Sequence, residues 1–425
     1  MIGRIIYALA LGIVVALALL LIGTLMLMPR IAAVILAVIP LPRDAASRLA
    51  LLQLRGAPGQ AAVSLAAIVA SMSLMISMAI MVTSFRDALD LWLERILPAD
   101  VYVRAGAAGD TSYMTAADQA RIAALPGVRR AEFLREQQLL LDPSRPRIVL
   151  LARDIDPADP GRRLALVAAP STPRAGAPPP VWVNEAMVDL YGFTAGTLVD
   201  LPIAGKPTAF TVVGVWRDYA RPQGAVVIER ERYVDLTGDR TATSGALWLA
   251  PGTDLGQVSR AIAREVPGGA KLDVAAPGEV RDYSLKIFDR TFAVTYALEL
   301  AAVVIGLLGL SSSFGALVLA RRREFGVLRH IGMTRRQIGA MLASEGLAVS
   351  GIGLVVGLAL GSAISLILIH VVNRQSFHWG MGVSVPWTTL AAAALVVLAL
   401  ATLTAWASGR KAMSDDVVRA VKDDW

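Results

Sequence analysis

Residues 338–372 read IGAMLASEGLAVSGIGLVVGLALGSAISLILIHVV, and this stretch decides what kind of protein the chain is. Its acid is Glu345 alone and its titratable base His370 alone. A helix rises ~1.5 Å per residue and a bilayer core is ~30 Å thick, so a run this long and this apolar crosses a membrane. Ile5–Met28, Ala61–Ser84, Phe292–Ala320 and Trp387–Ser408 are blocks of the same kind, with Glu299 their one acid. Composition agrees. The 425 residues are 55% hydrophobic and 18% charged, with a mean hydropathy of +0.58, whereas a soluble domain is ~25% charged.

Ile5–Met28 spans 24 residues without a charge, about 36 Å as a helix. It ends in Met26-Leu27-Met28-Pro29-Arg30, which offers no small-residue cleavage site, so it reads as a retained span and not as a signal peptide. The organisation that follows is a leading span and connector over 1–60, a first core helix over 61–84, and a polar domain over 85–291. A three-helix membrane domain over 292–408 and a tail over 409–425 complete it. The polar stretch, rich in Pro and Gly, has about 200 residues, enough for one or two domains. The expected fold is a membrane α-helical bundle with a large mixed α/β extracytoplasmic domain inserted between the first two core helices.

Lys and Arg in short loops mark the cytoplasmic side. The loop 321–338 holds Arg321, Arg322, Arg323, Arg329, Arg335 and Arg336, and the tail holds Arg410, Lys411, Arg419 and Lys422. Arg30, Arg43, Arg48 and Arg55 precede the second span. These three segments are expected inside. Asn373–Pro386 carries Arg374 alone, so it and the polar domain are expected outside, as is the N-terminus with Arg4.

Within the polar domain, strands are expected at Val101–Val103, Arg147–Leu151, Val181–Val183, Phe210–Val215, Ala225–Ile228 and Ala246–Leu249. Each is a short β-branched or aromatic run bounded by Gly, Pro or Asp. One helix follows Thr115 and stops at Leu125-Pro126-Gly127; another starts near Thr253-Asp254 and stops at Pro267-Gly268-Gly269. Pro178-Pro179-Pro180 reads as a stiff linker between two lobes.

The sequence carries no nucleotide loop, no H-E-x-x-H and no G-x-S-x-G elbow, so no catalytic residue, cofactor or metal is assigned. Zero cysteines exclude disulfides, thiolate zinc sites and a cysteine nucleophile. His330 is separated by topology from His370 and His378, which read as unliganded. Asp154 with Asp156, and Glu229 with Glu231, read as solvated surface. The net charge of +7 sits beside apolar blocks without interleaved aromatics, so nucleic acid is not expected as a partner.

Gly353, Gly357 and Gly361, followed by Ser365, form a small-residue stripe on one helical face and allow close helix packing, within the chain or across a dimer. Glu345, just inside the cytoplasmic end of the same span, is an intramembrane acid expected to face protein or water, paired with a nearby arginine or in a functional role. Met72, Met75, Met78 and Met81 form a stripe best read as flexible packing. In RRREFGVLRHIGMTRRQI, residues 321–338, Phe325, Leu328 and Ile331 share one face of a helix expected to continue the third span. Gly332 ends that helix, and Thr334-x-x-Gln337 is a capping box that opens the next.

This loop resembles that of the FtsX-like permeases of ABC transporters, which include the MacB and LolC/LolE types. The resemblance rests on REFGVLRHIGMTRRQI (323–338), on Glu345-Gly346 with the glycine stripe, on LALLQLRGAPGQAAVSLAAI (49–68), and on GRKAMSDDVVRAV (409–421). It covers nearly the whole chain from Leu49 onward. NRQSFHW (373–379) looks like the outer loop of the larger ten-helix members, and Ile5–Met28 like the connector between their repeats, so the chain resembles a C-terminal half. The resemblance implies that Glu324, Gly326, Leu328, Arg329, Gly332 and Thr334 form an ATPase-coupling loop. It implies a separate cytoplasmic ABC ATPase, a second permease half or homodimer, membrane lipid and a periplasmic partner, in a bacterial cytoplasmic (inner) membrane. The function implied is export or extraction of a hydrophobic or lipid-linked substrate, or else mechanotransmission to an envelope hydrolase or sensor without transport.

Overall fold

The computed structural model describes residues 2–106, 112–171, 176–267 and 269–412. The chain divides into two compact units. The first comprises Met1–Ser84, Thr291–Val372 and Val383–Trp425; the second comprises Phe85–Arg290 and Asn373–Gly382.

The first unit opens with α1 (Ile2–Val38), α2 (Ala45–Gly56) and α3 (Pro58–Ile96). α1 does not stop at Met28, as the sequence reading had it, but runs through Pro29. A membrane helix tolerates such a proline because neighbours re-satisfy the freed backbone groups. Met28, Ala32 and Leu36, one turn apart, are buried on one face. The end of α1 is held by Arg55 of α2, whose Nε donates to the Leu36 carbonyl at 2.9 Å and whose Nη2 donates to that of Ile39 at 2.6 Å. A cation on the last carbonyls also suits the negative end of the helix dipole. α2 starts at Asp44, whose side chain accepts from the Ser47 N–H at 3.0 Å.

α3 continues past Ser84 to Ile96 because the apolar repeat persists: Phe85, Leu89, Trp92, Leu93 and Ile96 keep one face while Arg86, Asp87, Asp90 and Glu94 fill the rest. The second unit then adds β1 (Val101–Ala105), α4 (Ala116–Ala123), β2 (Val128–Leu139), β3 (Ile148–Arg153), β4 (Pro180–Asn184), α5 (Glu185–Tyr191) and β5 (Leu198–Ile203). It is completed by β6 (Lys206–Trp216), β7 (Ala225–Glu229), α6 (Arg230–Thr237), β8 (Ser244–Leu249), α7 (Leu255–Glu265) and β9 (Leu272–Ala275). The strands join in one sheet of order β5-β6-β4-β7-β3-β2-β8-β1-β9. The six expected strands are β1, β3, β4, β6, β7 and β8. β2 escaped the sequence reading because its residues are mostly charged or polar and only partly buried.

β3, β4 and β7 are buried on both faces, which is why they read as continuous apolar runs. Leu150, Val181, Val183, Phe210, Val226 and Ile228 face Met187 of α5 and Tyr233 of α6; Val149, Leu151, Trp182, Val213 and Val227 face the other way. A separate core joins β1 and β8 to Ile122 of α4 and to Val258 and Ile262 of α7. The two lobes thus exist, but Pro178–Pro180 does not separate them. Pro180 is the first residue of β4, a central strand, and the lobes meet within β2, which pairs with β8 over Val128–Leu134 and with β3 over Arg135–Leu139. One long strand shared by two cores replaces a linker. α4 carries the Thr115 cap with a reciprocal Asp118 box, and α7 is capped by Asp254.

The chain then forms α8 (Pro277–Ala320), α9 (Arg322–His330), α10 (Arg335–Ile367), α11 (Asn373–Phe377) and α12 (Trp387–Ala412), with a π-helical turn over Leu368–Val372. Five helices are long and apolar enough to cross a membrane. α8 begins far ahead of Phe292, so α3 and α8 both pass without a break between the two units. Residues 373–382 group with the second unit and not with the spans that flank them. There the Phe85 ring lies 4.8 Å from that of Trp379, Asn373 Nδ2 donates to the Trp379 carbonyl at 2.9 Å, and Arg374 pairs with Asp189 at 3.2 Å. Of the GRKAMSDDVVRAV segment, everything from 413 on, Arg419 included, lies outside the described residues, as does Lys422 beyond it.

Candidate functional site

The region 321–338 folds as an elbow between α8 and α10. It does not simply continue the third span: α8 ends at Ala320, Arg321 leaves helical geometry at φ −99° and ψ 13°, and α9 is a separate short helix. α9 ends at a tight reversal in which Ile331 N–H donates to the Val327 carbonyl, Gly332 N–H to Arg329, and Met333 N–H to Leu328. Gly332 has φ +102°, a conformation that an L side chain resists. Thr334 then opens α10: its hydroxyl accepts from the Gln337 N–H at 3.2 Å while the Gln337 side chain accepts from the Thr334 N–H at 2.9 Å.

The elbow is held by packing and by buried charge. Phe325 sits in a cluster with Ala46 and Ala50 of α2, Val318 of α8, and Ile338, Met341 and Leu342 of α10; Leu328 and Met333 pack on it, partly buried. Arg321 donates from Nη1 to Glu345 and from Nε to Glu324 Oε2 at 3.1 Å, and its guanidinium lies over the Phe325 ring. Glu324 also accepts from Gln53 Nε2 at 3.0 Å, which ties α9 to α2.

This geometry redistributes the residues that the sequence grouped together. Phe325, Leu328 and Ile331 do not form one outward face: Phe325 is buried, Leu328 packs inward, and Ile331 is 76% exposed. Its neighbour on the outside is Val327, one turn earlier and 58% exposed. Val327 was missed because periodicity alone cannot tell which apolar stripe of so short a helix meets the body of the protein. Gly326, Arg329, Gly332 and Thr334 are exposed, and Glu324 is half-exposed at the α2 contact.

The glycine stripe lies against α3. A Cβ on Gly353 would stand 2.8 Å from Ile68 Cγ2, one on Gly357 2.8 Å from Met72 Cβ, and one on Gly361 2.7 Å from the Ser73 carbonyl oxygen. The partner is therefore within the chain, and Met72 of the methionine stripe fills the groove. A second close approach, Gly306 of α8 against Ser71 of α3, was legible only as another small residue in an apolar run. Glu299 of α8 has no hydrogen-bond or ion partner among the described residues. In the second unit, Asp154, Asp156, Glu229 and Glu231 line one open cleft with Arg162 and Arg163, and among the described residues no group of three or more metal-ligating side chains is poised around an ion.

Residues 297–417 match the FtsX-like permease C-terminal family. An uncharacterized ABC transporter permease protein of Mycobacterium tuberculosis is 30% identical over 359 residues, which cover 82% of this chain and 42% of that protein, so the chain spans less than half the length of this relative. Among solved structures, the periplasmic region of MacB from Actinobacillus actinomycetemcomitans aligns with 45% of this chain and 94% of its own, at 11% identity and a TM-score of 0.33. The extracellular domain of the noncanonic ABC-type transporter YknZ from Gram-positive bacteria aligns with 42% of this chain and 99% of its own, at 11% identity and a TM-score of 0.30. The elbow and the glycine-striped α10 both lie within the matched region, so the chain, a multi-pass protein of the inner membrane, carries an FtsX-like permease C-terminal domain.

Proposed function

We propose that this permease couples ATP hydrolysis by a separate cytoplasmic ATPase to movement of its extracytoplasmic sheet domain, and thereby to export or extraction of a hydrophobic or lipid-linked substrate. The observation that carries this reading is the continuity of α8. One uninterrupted helix of 44 residues starts in the second unit at Pro277 and ends at Ala320, beside the elbow. A helix is stiff along its axis, so displacement of its inner end moves its outer end. Glu324, Gly326, Leu328, Arg329, Gly332 and Thr334 build the elbow, and Val327 and Ile331 are its apolar contacts for the ATPase. A second permease half or a second copy completes the assembly.

The cavity between Ile68, Ser71, Met72, Val303 and Gly306 has a volume of about 10 Å³, no more than one water needs. A mechanotransmitter acting on an envelope hydrolase or sensor, without transport, is therefore the second reading.

Ile331→Asp and Val327→Asp test the ATPase contact, because a charge placed in an apolar interface costs more than the contact contributes. Pull-down of the ATPase from membranes should fall while insertion and thermal stability stay at parental levels. Undiminished recruitment and hydrolysis with both variants would remove the elbow as the docking element. Release of membrane-held substrate on ATP addition separates the transport reading from the mechanical one.

A further inference from the structure

Within the first unit, α2 turns one face, with Ala46 and Ala50, onto Phe325 and the start of α10, and leaves Arg48, Leu49 and Leu52 uncovered on the other. Leu49 and Leu52, one turn apart, are 39% and 45% exposed, and the segment that enters the helix adds Leu41 and Arg43, also exposed. A helix that met only water on this face would carry polar side chains there. Asp44 is the only acid from Arg30 to Gln60, and its carboxylate is occupied by the Ser47 N–H and hydroxyl, at 3.0 and 3.2 Å. The side chains of Arg43 and Arg48 have no hydrogen-bond or ion partner among the described residues.

Two contacts set the level at which α2 lies. Ser47 Oγ is 3.0 Å from Ser344 Oγ, and Gln53, about 9 Å farther along α2, donates to Glu324, which shares Arg321 with Glu345. Both ends of α2 are thus tied close to residues 344–345 of α10, so the helix runs across the bundle and not along it. Arg55 binds the last carbonyls of α1, and α3 begins at Pro58, so α2 lies where two membrane-crossing helices end. The elbow reaches farther from the bundle: Thr334 is about 16 Å from Glu345 along the axis of α10, and Ile331 belongs to the reversal just before it. The uncovered face of α2 is therefore set back from the apolar contacts of the elbow, at the rim where the spans leave the membrane. An apolar and basic helix face at that rim has the composition of one that lies in the headgroup layer.

We propose that α2 binds the surface of an anionic bilayer, in the leaflet on the elbow's side, with Leu49 and Leu52 inserted among the upper acyl carbons and Arg43 and Arg48 on lipid phosphates. Charge decides the occupant: two unpaired guanidiniums flank the apolar pair, and phosphate oxygens accept from a guanidinium in a planar fork. Because Ala46 and Ala50 pack with Phe325 and Gln53 holds Glu324, a leaflet that holds α2 also braces the elbow. This goes beyond the coupling proposed above and does not depend on it.

Since the chain has no cysteine, a bimane label can be placed at Leu49→Cys, Leu52→Cys or, as the reference, Ile331→Cys, in the full chain reconstituted in nanodiscs containing phosphatidylglycerol. Lipids brominated high on the acyl chain should quench the first two labels at least about twofold more than the third. Preference for phosphatidylglycerol over phosphatidylcholine, read from lipid-bound species in native mass spectrometry, should fall about fivefold for Arg43→Gln or Arg48→Gln and about thirtyfold for both, since each basic side chain near an anionic surface contributes about that single factor. Arg48→Lys keeps the charge and should stay near the parent. All of these side chains are exposed, so thermal stability in uncharged detergent should not change. Equal quenching at all three sites, or an unchanged lipid preference in the double variant, overturns the proposal. So does loss of ATPase pull-down from Leu49→Asp with quenching unaltered at Leu52→Cys, which would give this face to the ATPase.

Discussion

Arg321 Nη1 donates to both carboxylate oxygens of Glu345, at 3.0 and 3.1 Å, and joins the end of α8 to the third turn of α10. The side chains are 10% and 3% exposed, so the pair is removed from water. Burying two charges this way gains little net stability, yet removing one partner strands the other. Arg321→Met is expected to destabilise the protein by about 3–5 kcal/mol, and Arg321→Met with Glu345→Leu to recover most of that loss. Thermal unfolding of the single and double variants in detergent checks this, and a single variant as stable as the parent would show the pair to be incidental.

Gly357→Leu should disrupt the bundle from within. Its side chain has to enter the space of Met72, and overpacking of this kind costs about 1–3 kcal/mol. A lowered unfolding temperature with unchanged intermolecular crosslinking is the expected pattern. Lost crosslinking at parental stability would move the stripe to a surface between copies.

Two elbow variants should fail for different reasons. Gly332→Val forces a β-branched residue to φ +102°, which costs about 1–2 kcal/mol in the left-handed region, and should lower ATP-driven coupling while the ATPase still binds. Leu328→Asp puts a charge against Phe325 and Met333 and should loosen the elbow itself, read as faster proteolysis of the 321–338 region. Parental proteolysis of Leu328→Asp would return Leu328 to the outer face.

His378 makes the second unit sensitive to acid. Burial holds its imidazole below the ordinary value of 6.5, and Asp189, 3.9 Å away, opposes this only in part. A depressed value in the folded state contributes stability above the unfolded value and loses it as pH falls through the folded one. Thermal stability should therefore decline below about pH 6.5, and His378→Gln should flatten that part of the profile relative to the parent. Parallel profiles for the two proteins would exclude His378 as the cause.

Because the chain has no cysteine, single replacements report sidedness cleanly. Ser144→Cys should react with an impermeant thiol reagent in intact cells and Thr334→Cys only after permeabilisation. Labelling of Thr334→Cys in intact cells would invert the orientation.

The sequence by itself determined the solvent of each segment. Apolar runs longer than a bilayer core have no other stable home, and the elbow's Gly332 and Thr334-x-x-Gln337 are local signals read within a few residues. The buried strands β3, β4 and β7 were legible for the same reason, whereas the charged β2 was not, because its pairing energy comes from partners distant in sequence. Tertiary structure alone decided which arginine meets Glu345, that the glycine stripe receives Ile68 and Met72, and that Leu328 turns inward while Val327 and Ile331 face out. It also decided that α3 and α8 pass beyond their apolar blocks without a break. Each of these depends on which surfaces are brought together, and periodicity records the faces of a helix without naming the neighbour that covers them.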